Sequence, residues 1–224
     1  MGTGFTIGDG YAMYRGPVRD SAPHRHAAFQ IAIAARGDVA VSGDGAEHRG
    51  AAIVVAPMVA HRLLAAADVL TFFVEPHSVF ADRLRRQYPR GIVLAPELRH
   101  LGEHDVGPPS LRPSGVLDPR LTRALHTLLE RELSMPELAA SVGLSAPRLR
   151  ALAREQVGMP LPRWRVWVRL RRAAEALRAG QAPAAAAVAA GFADQAHLTR
   201  DMRDMMGLTP AVVLPVLRGQ RLAT

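Results

Sequence analysis

The chain lacks cysteine and lysine, and it has few aromatic residues. Among its 224 residues there is no Cys, all 28 basic residues are Arg, and Phe, Trp and Tyr together make up 5%. The absence of cysteine excludes disulfides and thiolate metal ligands. No apolar run approaches the length of a membrane span, and residues 1–20 do not have the composition of a signal peptide. We therefore expect a cytoplasmic protein with no membrane partner, long enough for two modest domains.

The basic charge is concentrated in one half of the chain. Residues 1–118 contain 12 Arg and 12 acidic residues, whereas residues 119–224 contain 16 Arg and 8 acidic residues, so the whole net charge of +8 lies in the second half. Coding bias explains why Arg replaces Lys, but it does not explain this asymmetry. A basic domain beside a neutral one predicts a polyanion as the partner of the basic domain.

One short pattern occurs twice in the basic half. In each copy an apolar segment precedes a glycine turn, and a leucine then lies nine residues before a closing glycine. The turns are Gly143-Leu144-Ser145 and Gly191-Phe192, and the closing segments are Gly158-Met159-Pro160 and Gly207-Leu208-Thr209-Pro210. A short helix, a glycine turn and an Arg-bearing helix are the parts of a helix-turn-helix. A segment without internal Gly or Pro, from Arg163 to Leu177, predicts one helix that connects the two copies.

This arrangement resembles the AraC/XylS family of bacterial transcription regulators, over roughly residues 119–218. The resemblance is carried by Trp164, Arg169, Leu170 and Ala173 in the connecting segment, by the Gly191-Phe192 turn, by Leu198-Thr199-Arg200 and by the closing segment at Gly207. It implies a tandem helix-turn-helix domain with double-stranded DNA as its partner. RNA polymerase and a second copy of the chain stay open as further partners.

The recognition helices are predicted at residues 146–156 and 194–206, with Ser145 and Asp194 as their N-caps. The guanidinium groups of Arg150 and Arg200 can bridge O6 and N7 of guanine, and Gln195 can pair with adenine. Arg148 and Arg154 are expected to hold phosphates. With the groove-facing positions that the resemblance implies, the predicted DNA-binding set is Ser145, Pro147, Arg148, Arg150, Arg154, Gln195, Ala196, His197 and Arg200, and Ala151 also faces the groove.

The first hundred residues are β-rich. Residues 29–34 and 39–42 alternate between two faces, with a turn at Arg36-Gly37-Asp38 between them, and residues 52–55 and 69–74 are further short strands. Frequent turns and several strands without helices favour a small sandwich or barrel. Residues 1–20 have no clear period, and we expect them to form a loosely ordered lead-in. A helix is predicted from Ser78 to Tyr88.

Three histidines in this region have the spacing of metal ligands. His24-x-His26, Gln30 and Gly37 resemble the first motif of a cupin barrel, and Gly50, Pro57 and His61 resemble the second, with Gln30 in the place of the usual Glu and Met58 in the place of a glycine. His24 and His26 on one strand would point to the same face. The resemblance implies a site for Zn, Ni, Mn or Fe formed by His24, His26, Gln30 and His61. Because the carboxylate is lost, a metal-free sensor pocket is the alternative.

A Gly- and Pro-dense segment predicts the boundary between two domains. We expect a cupin-like sensing domain at 1–101, a linker at 102–117 and a tandem helix-turn-helix DNA-binding domain at 118–224. The predicted fold class is α+β multidomain, with an N-terminal cupin-like β-barrel or sandwich and an all-α C-terminal domain. A helix from about residue 118 to 133 should pack behind the first helix-turn-helix.

The predicted function is that of a sequence-specific DNA-binding transcription regulator, not an enzyme. Its N-terminal domain would sense a small molecule or a metal. The alternative is a cupin-type metal-dependent enzyme, such as a dioxygenase or isomerase, with a helical appendage. No convincing general base or second carboxylate accompanies the three histidines, which favours the regulator.

Overall fold

The computed structural model describes residues 3–107 and 112–217. The strands are β1 (Gly4–Gly8), β2 (Tyr11–Val18), β3 (Phe29–Ala34), β4 (Val39–Gly43), β5 (Ala46–Gly50), β6 (Ala52–Val55), β7 (His61–Leu63), β8 (Ala66–Val74) and β9 (Ile92–Leu94). The helices are α1 (Val79–Gln87), α2 (Glu103–Val106), α3 (Pro119–Glu130), α4 (Met135–Ser141), α5 (Ala146–Val157), α6 (Leu161–Arg178), α7 (Pro183–Ala189), α8 (Gln195–Met206) and α9 (Pro210–Leu217). A strand-rich region thus precedes a helical one, as predicted.

The strands form two antiparallel sheets that pack as a sandwich. The larger sheet has the order β1-β2-β8-β3-β6-β9, and the smaller one has the order β5-β4-β7. Alternate residues of β6, including Ile53 and Val55, pack against Val39 and Val41 of β4 between the sheets. The opposite face of the larger sheet packs against α1. The predicted α+β fold is confirmed, and its sheet domain is a sandwich because the described residues contain no continuous ladder between the two sheets.

Residues 4–18 are not the loosely ordered lead-in that the sequence suggested. β1 and β2 form a hairpin whose turn contains Gly10 at φ 71°, and β2 pairs with β8 along its length. The expectation was wrong because Gly, Ala and Thr obscure the period-two alternation on which it depended. Pairing with the nine-residue strand β8 supplies the backbone hydrogen bonds that local propensity does not predict.

The two recognition helices begin and end at their predicted signals. The side chain of Ser145 accepts a hydrogen bond from the backbone N–H of Arg148, and Asp194 accepts one from His197. Gly158 ends α5 at φ 72° and Gly207 ends α8 at φ 67°, a left-handed conformation that glycine adopts without steric cost. The two units therefore share one local design.

α6 joins the two units and is slightly longer than predicted. It has 18 residues, which corresponds to roughly 27 Å at 1.5 Å per residue. Its tryptophans lie in one continuous core with Ala27, Ala28 and Phe73 of the sheet region. The sheet region and the helical region are therefore packed against each other.

The segment predicted as a linker contributes to the cores on both sides. α2 lies within it, and Val106 packs with Leu98 against the sheet, whereas Leu117 packs into the helical core. Residues 108–111 of the predicted linker lie outside the described residues. The domain boundaries at 101 and 118 stay a prediction.

Candidate nucleic-acid interface and interdomain cavity

The outer face of α5 is exposed and positively charged. Pro147, Arg148, Arg150 and Arg154 are exposed, as are Ser145 and Ala151, while Leu149 and Leu152 are buried below them. This division follows from the helical period, since residues three and four apart share a face. The face that the sequence predicts for DNA is therefore accessible in the first unit.

The outer face of α8 is also exposed. Gln195, Ala196 and Arg200 are accessible, while Leu198, Met202 and Met205 are buried. In the described part of the chain no ion pair involves Arg150, Arg154 or Arg200. Three guanidinium groups on the two recognition helices are thus available for an anionic partner.

His197, like the cap residue Ser145, makes side-chain contacts within its own unit. Its Nδ1 accepts a hydrogen bond from the backbone N–H of Ala193 at 3.4 Å, and its Nε2 lies 3.3 Å from Asp201 Oδ2. The ring packs edge-on against Phe192, with a centroid distance of 5.3 Å. His197 therefore holds the turn of the second unit, and its contact with DNA stays a prediction, as do those of the other eight residues.

The four predicted metal ligands, His24, His26, Gln30 and His61, meet in a buried cluster. His24 Nε2 lies 3.0 Å from His26 Nε2, and Gln30 Oε1 lies 2.8 Å from His26 Nε2 and 2.6 Å from His61 Nε2. One ring nitrogen from each histidine lies within 4.8 Å of the others. The spacing of these residues in the sequence thus predicted side chains that lie together in the structure.

The backbone that carries this cluster is not the strand that was expected. Residues 21–26, here called the histidine strap, make only an isolated bridge between His24 and His61. The expectation of a regular strand was wrong because the other edge of the strap faces α8: Ala22 N donates to Gly207 O, and Arg25 N donates to Asp204 O. The histidines converge through the bridge and the turn that follows it.

The hydrogen bonds around the cluster determine which ring nitrogens face its centre. His24 Nδ1 lies 2.7 Å from the carbonyl of Ala22, and His61 Nδ1 lies 3.0 Å from the carbonyl of Val59. Carbonyl oxygens only accept, so each Nδ1 carries the proton and each Nε2 presents a lone pair to the centre. The Gln30 oxygen, in the orientation that the structure gives the amide, adds another acceptor.

Protonation does not relieve this crowding of acceptors. Burial and, to a lesser extent, the nearby His24 lower the pKa of His61 to about 4. Burial also lowers the pKa of His26 far below its ordinary value, with further contributions from His24 and His61. Three neutral imidazoles and an amide oxygen form a donor set that fits a borderline divalent cation such as Zn²⁺.

Met58 supports the cluster from a strained backbone conformation. Its φ is 65°, in the left-handed region, and its N–H donates to the carbonyl of His26 at 2.8 Å. A side chain with a Cβ makes this conformation costly, so the surrounding contacts must enforce it. This is the position at which the resemblance led us to expect a glycine.

A cavity of about 450 Å³ lies between the sheet region and the helices, next to the cluster. Apolar side chains from β1, β2 and β8 form one wall, and those from α6, α8 and α9 form the other. They include Phe5, Ile7, Phe73, Trp167, Met202 and Val216. His24, His26 and Gln30 also line it, together with Arg19 and Thr71. Among the described residues, no ion pair involves Arg19 and the buried Thr71 Oγ1 has no hydrogen-bond partner.

A buried carboxylate connects the sheet region to α6 beside this cavity. Glu75 Oε1 accepts from Trp167 Nε1 and from Arg171 Nη1, both at 2.9 Å. Arg171 also donates to the carbonyl of Gly8 at 2.6 Å. Sequence analysis missed Glu75 because a lone acidic residue at a strand end carries no local signal of its partners on α6. It also missed that a cavity lies between the sheet region and the helices, because six elements distant in sequence form its walls.

The comparisons with known proteins agree with this geometry. Residues 138–214 match the model of a helix-turn-helix domain family. The C-terminal region is an AraC-type helix-turn-helix domain. The match begins in α4 and ends in α9, so it includes both units and the helix between them. None of the curated proteins matches the sequence.

Solved structures extend the likeness of fold beyond the AraC-type domain. Wild-type ToxT from Vibrio cholerae strain SCE256, with an unsaturated fatty acid bound, is 11% identical with a TM-score of 0.64, over 97% of this chain and 99% of that chain. ToxT from Vibrio cholerae O395 is 10% identical with a TM-score of 0.61, over 95% and 100%. An AraC-type regulator from Chromobacterium violaceum is 25% identical over 45% of this chain and 93% of that chain, with a TM-score of 0.42. The first two share the fold of nearly the whole chain, the sheet region and the helical region together.

Membrane insertion through a helix finds no support in the structure. Of the helices in the described residues, none combines the length and the apolar character that crossing a bilayer requires.

Proposed function

We propose that this protein is a sequence-specific DNA-binding transcription regulator whose N-terminal sheet domain binds an effector. The observation that carries the proposal is the pair of capped recognition helices, each with an exposed arginine-bearing face, in one AraC-type domain. Its proposed location is the cytoplasm. RNA polymerase and a second copy of the chain are proposed as further partners on the basis of the family resemblance.

The two helices would read one face of B-form DNA. A connecting helix of roughly 27 Å, with the recognition helices offset from its ends, suits two successive major grooves about 34 Å apart. Arg150 and Arg200 would contact guanine, and Gln195 would contact adenine. Arg148 and Arg154 would bind phosphates and set the register. One chain would thereby make the contacts that single helix-turn-helix proteins make as dimers.

The effector that the cavity fits best is an elongated apolar molecule with one acidic group. Apolar side chains dominate the walls. Among the described residues, Arg19 on this wall forms no ion pair, and the buried Thr71 Oγ1 has no hydrogen-bond partner. ToxT, which has this fold, has been crystallised with an unsaturated fatty acid. Because α6 and α8 form one wall, a ligand there would alter how the second recognition helix is held.

The DNA-binding part of the proposal is tested by selection from random duplexes followed by measurements of affinity. We expect a recurrent sequence with two half-sites, and an affinity that falls steeply with salt concentration because phosphate contacts release counterions. Arg200→Ala should weaken binding to the selected duplex, whereas Arg36→Ala, which removes the same charge from an exposed turn of the sheet domain, should not. No enrichment of any sequence would reject the proposal.

The effector part is tested by the fluorescence of Trp167 in the cavity wall, with Trp164→Phe removing the other tryptophan. A long-chain unsaturated fatty acid should change the emission at saturable concentrations, and the corresponding alcohol should bind more weakly. Arg19→Gln should reduce the difference between acid and alcohol, since it removes the proposed partner of the carboxylate. Unchanged emission with the acid would reject this effector class but leave the DNA-binding proposal standing.

The alternative of a cupin-type metal-dependent enzyme is less well supported. It would leave the exposed arginines of two recognition helices without a role. The histidine cluster, which motivated that alternative, has a different use within a regulator.

A further inference from the structure

We infer that His24, His26, His61 and Gln30 bind a transition-metal ion, and that the histidine strap transmits its presence to the second recognition helix. The effect on DNA rests on the proposed function, whereas metal binding does not. The two halves of the inference have separate tests.

The first argument is the excess of acceptors at the centre of the cluster. His24 Nε2 and His61 Nε2 present lone pairs, because their Nδ1 atoms donate to backbone carbonyls. The Gln30 oxygen lies 2.6 Å from His61 Nε2. His26 Nε2, which lies 3.0 Å from His24 Nε2 and 2.8 Å from Gln30 Oε1, can bring at most one proton between these atoms in this orientation of the Gln30 amide. A cation that accepts lone pairs from all of them resolves the crowding.

The donor set also selects the kind of cation. Three imidazole nitrogens and one amide oxygen suit Zn²⁺, Co²⁺ or Ni²⁺, whereas Mg²⁺ and Ca²⁺ require oxygen ligands. The donors carry no formal charge, so the full charge of the ion stays in a buried site. Gln30→Glu should therefore tighten binding, because it adds a carboxylate at the right place.

The second argument is the contact between the strap and the end of α8. Ala22 N donates to Gly207 O at 3.3 Å, and Arg25 N donates to Asp204 O at 3.4 Å. A Cβ at Gly207 would lie 2.5 Å from His24 Nδ1 and 2.6 Å from Ala22 O. A metal ligand and the last turn of the second recognition helix are therefore in direct contact.

The equivalent position in the first unit has no such neighbour. Gly158 has nearly the same left-handed φ as Gly207, yet a Cβ there would meet nothing within 4 Å. The cluster can therefore act on α8 but not directly on α5. This difference between two equivalent glycines also provides a matched pair of variants.

The direction of the effect follows from which end of α8 the strap holds. The strap contacts the C-terminal end, while Gln195 and Arg200 nearer the N-terminal end stay exposed. A metal that orders the strap would fix α8 without covering its reading face. Preorganisation of this kind increases affinity, so metal should strengthen binding to a duplex with both half-sites.

Metal binding is tested on the full chain after treatment with a chelator. Titration with Co²⁺ should show one equivalent bound, with the visible absorption of a four-coordinate site, and Zn²⁺ should displace it. His61→Ala should abolish the absorption, Gln30→Glu should increase the affinity, and Mg²⁺ should give no response. If the folded chain binds neither Co²⁺ nor Zn²⁺, the inference is wrong, whatever its affinity for DNA.

Coupling is tested by measuring the affinity for the selected duplex with and without Zn²⁺. Zn²⁺ should increase the affinity of wild type and of Gly158→Ala for the duplex, within the roughly 5- to 150-fold range of typical allosteric coupling. Gly207→Ala, which has the same backbone strain but forces the strap away, should lose this gain while its metal-free affinity stays close to that of Gly158→Ala. Far-UV circular dichroism checks that both variants are folded.

The remaining outcomes separate the two proposals. Bound metal with no change in DNA affinity in wild type would overturn the coupling, as would an equal gain in Gly207→Ala and Gly158→Ala. A chain that binds Co²⁺ with the expected spectrum but selects no duplex would overturn the proposed function and retain the metal site.

Discussion

The two helix-turn-helix units have the same caps and the same glycine ends, but their surroundings differ. The first unit packs on α3 and α6 within the helical region, and its end at Gly158 is exposed. The second unit, formed by α7 and α8, packs on α6, and its end at Gly207 lies under the histidine strap of the sheet region. The C-terminal end of α5 in the first unit is thus free of the sheet domain, whereas the equivalent end of α8 in the second unit contacts it.

The supporting helices give the two units cores of different size. α4 buries Leu138, whereas the equivalent helix α7 buries Ala186 and Ala187. An alanine removes less apolar area from water than a leucine, so the second unit has the thinner core of its own. The second unit also has contacts with the sheet domain, through the histidine strap, that the first unit lacks at Gly158.

The largest effect is expected from a substitution in α6, the helix that connects the two units. Trp164 is fully buried at the start of α6, and its indole N–H donates to the carbonyl of Leu125 on α3. Trp164→Ala should lower the free energy of unfolding by about 3–5 kcal/mol, because it leaves a cavity in the shared core. Urea unfolding followed by circular dichroism measures this. A loss below about 1 kcal/mol would show that the units do not depend on the shared core.

Acid should weaken the second unit before the first. Burial lowers the pKa of His61 from 6.5 to about 4, so between these values the unfolded chain binds more protons and the folded state loses stability as the pH falls. For His61 alone, the free energy of unfolding should fall by roughly 3 kcal/mol between neutral pH and pH 4. The first unit, residues 135–158, contains no histidine.

Hydrogen exchange of backbone amides at decreasing pH, corrected for intrinsic rates, tests this difference. As the pH is lowered, the backbone amides of α8 should lose their protection against exchange at a higher pH than those of α5. Simultaneous loss in both helices would mean that the histidine strap does not hold the second unit separately. Saturation with Zn²⁺ should shift the loss in α8 to lower pH if the cluster binds metal.

Arginine substitutions on the reading faces should have the next largest effect. Arg200→Ala is expected to cost about 1–3 kcal/mol on the selected duplex and to relax the preference at one base pair, since a bidentate contact with guanine is lost. Arg154→Ala should weaken selected and random duplexes alike. Competition binding with both kinds of duplex provides the measurement. Equal losses for Arg200→Ala on both would contradict base reading by α8.

The smallest expected effect concerns the ion pair that ties α8 to α6. Asp204 Oδ2 lies 2.5 Å from Arg163 Nη1, but 67% of the Asp204 side chain is exposed. Asp204→Asn should therefore cost less than about 1 kcal/mol of folding stability. Its control is Glu155→Gln on the exposed face of α5. A much larger loss from Asp204→Asn would show that the pair, rather than the strap, fixes the second unit.

The features that could be predicted from the sequence are those that depend on interactions between residues close together in the chain. Ser145 and Asp194 cap their helices through bonds to residues three positions away, and Gly158 and Gly207 end them through their own backbone freedom. These interactions lie within one or two turns, so the pattern contains them. The spacing of His24, His26 and His61 likewise predicted a cluster that the structure forms, although through a bridge and not a strand.

The sequence by itself determined the tandem helices, their exposed faces, the uneven charge and the candidate metal ligands. Only the tertiary structure decided that β1 and β2 complete the larger sheet, that a cavity separates it from α6 and α8, and that the strap lies on Gly207 and not on Gly158. The physical reason is that these features depend on contacts between segments near opposite ends of the chain, for which each segment alone has no preference.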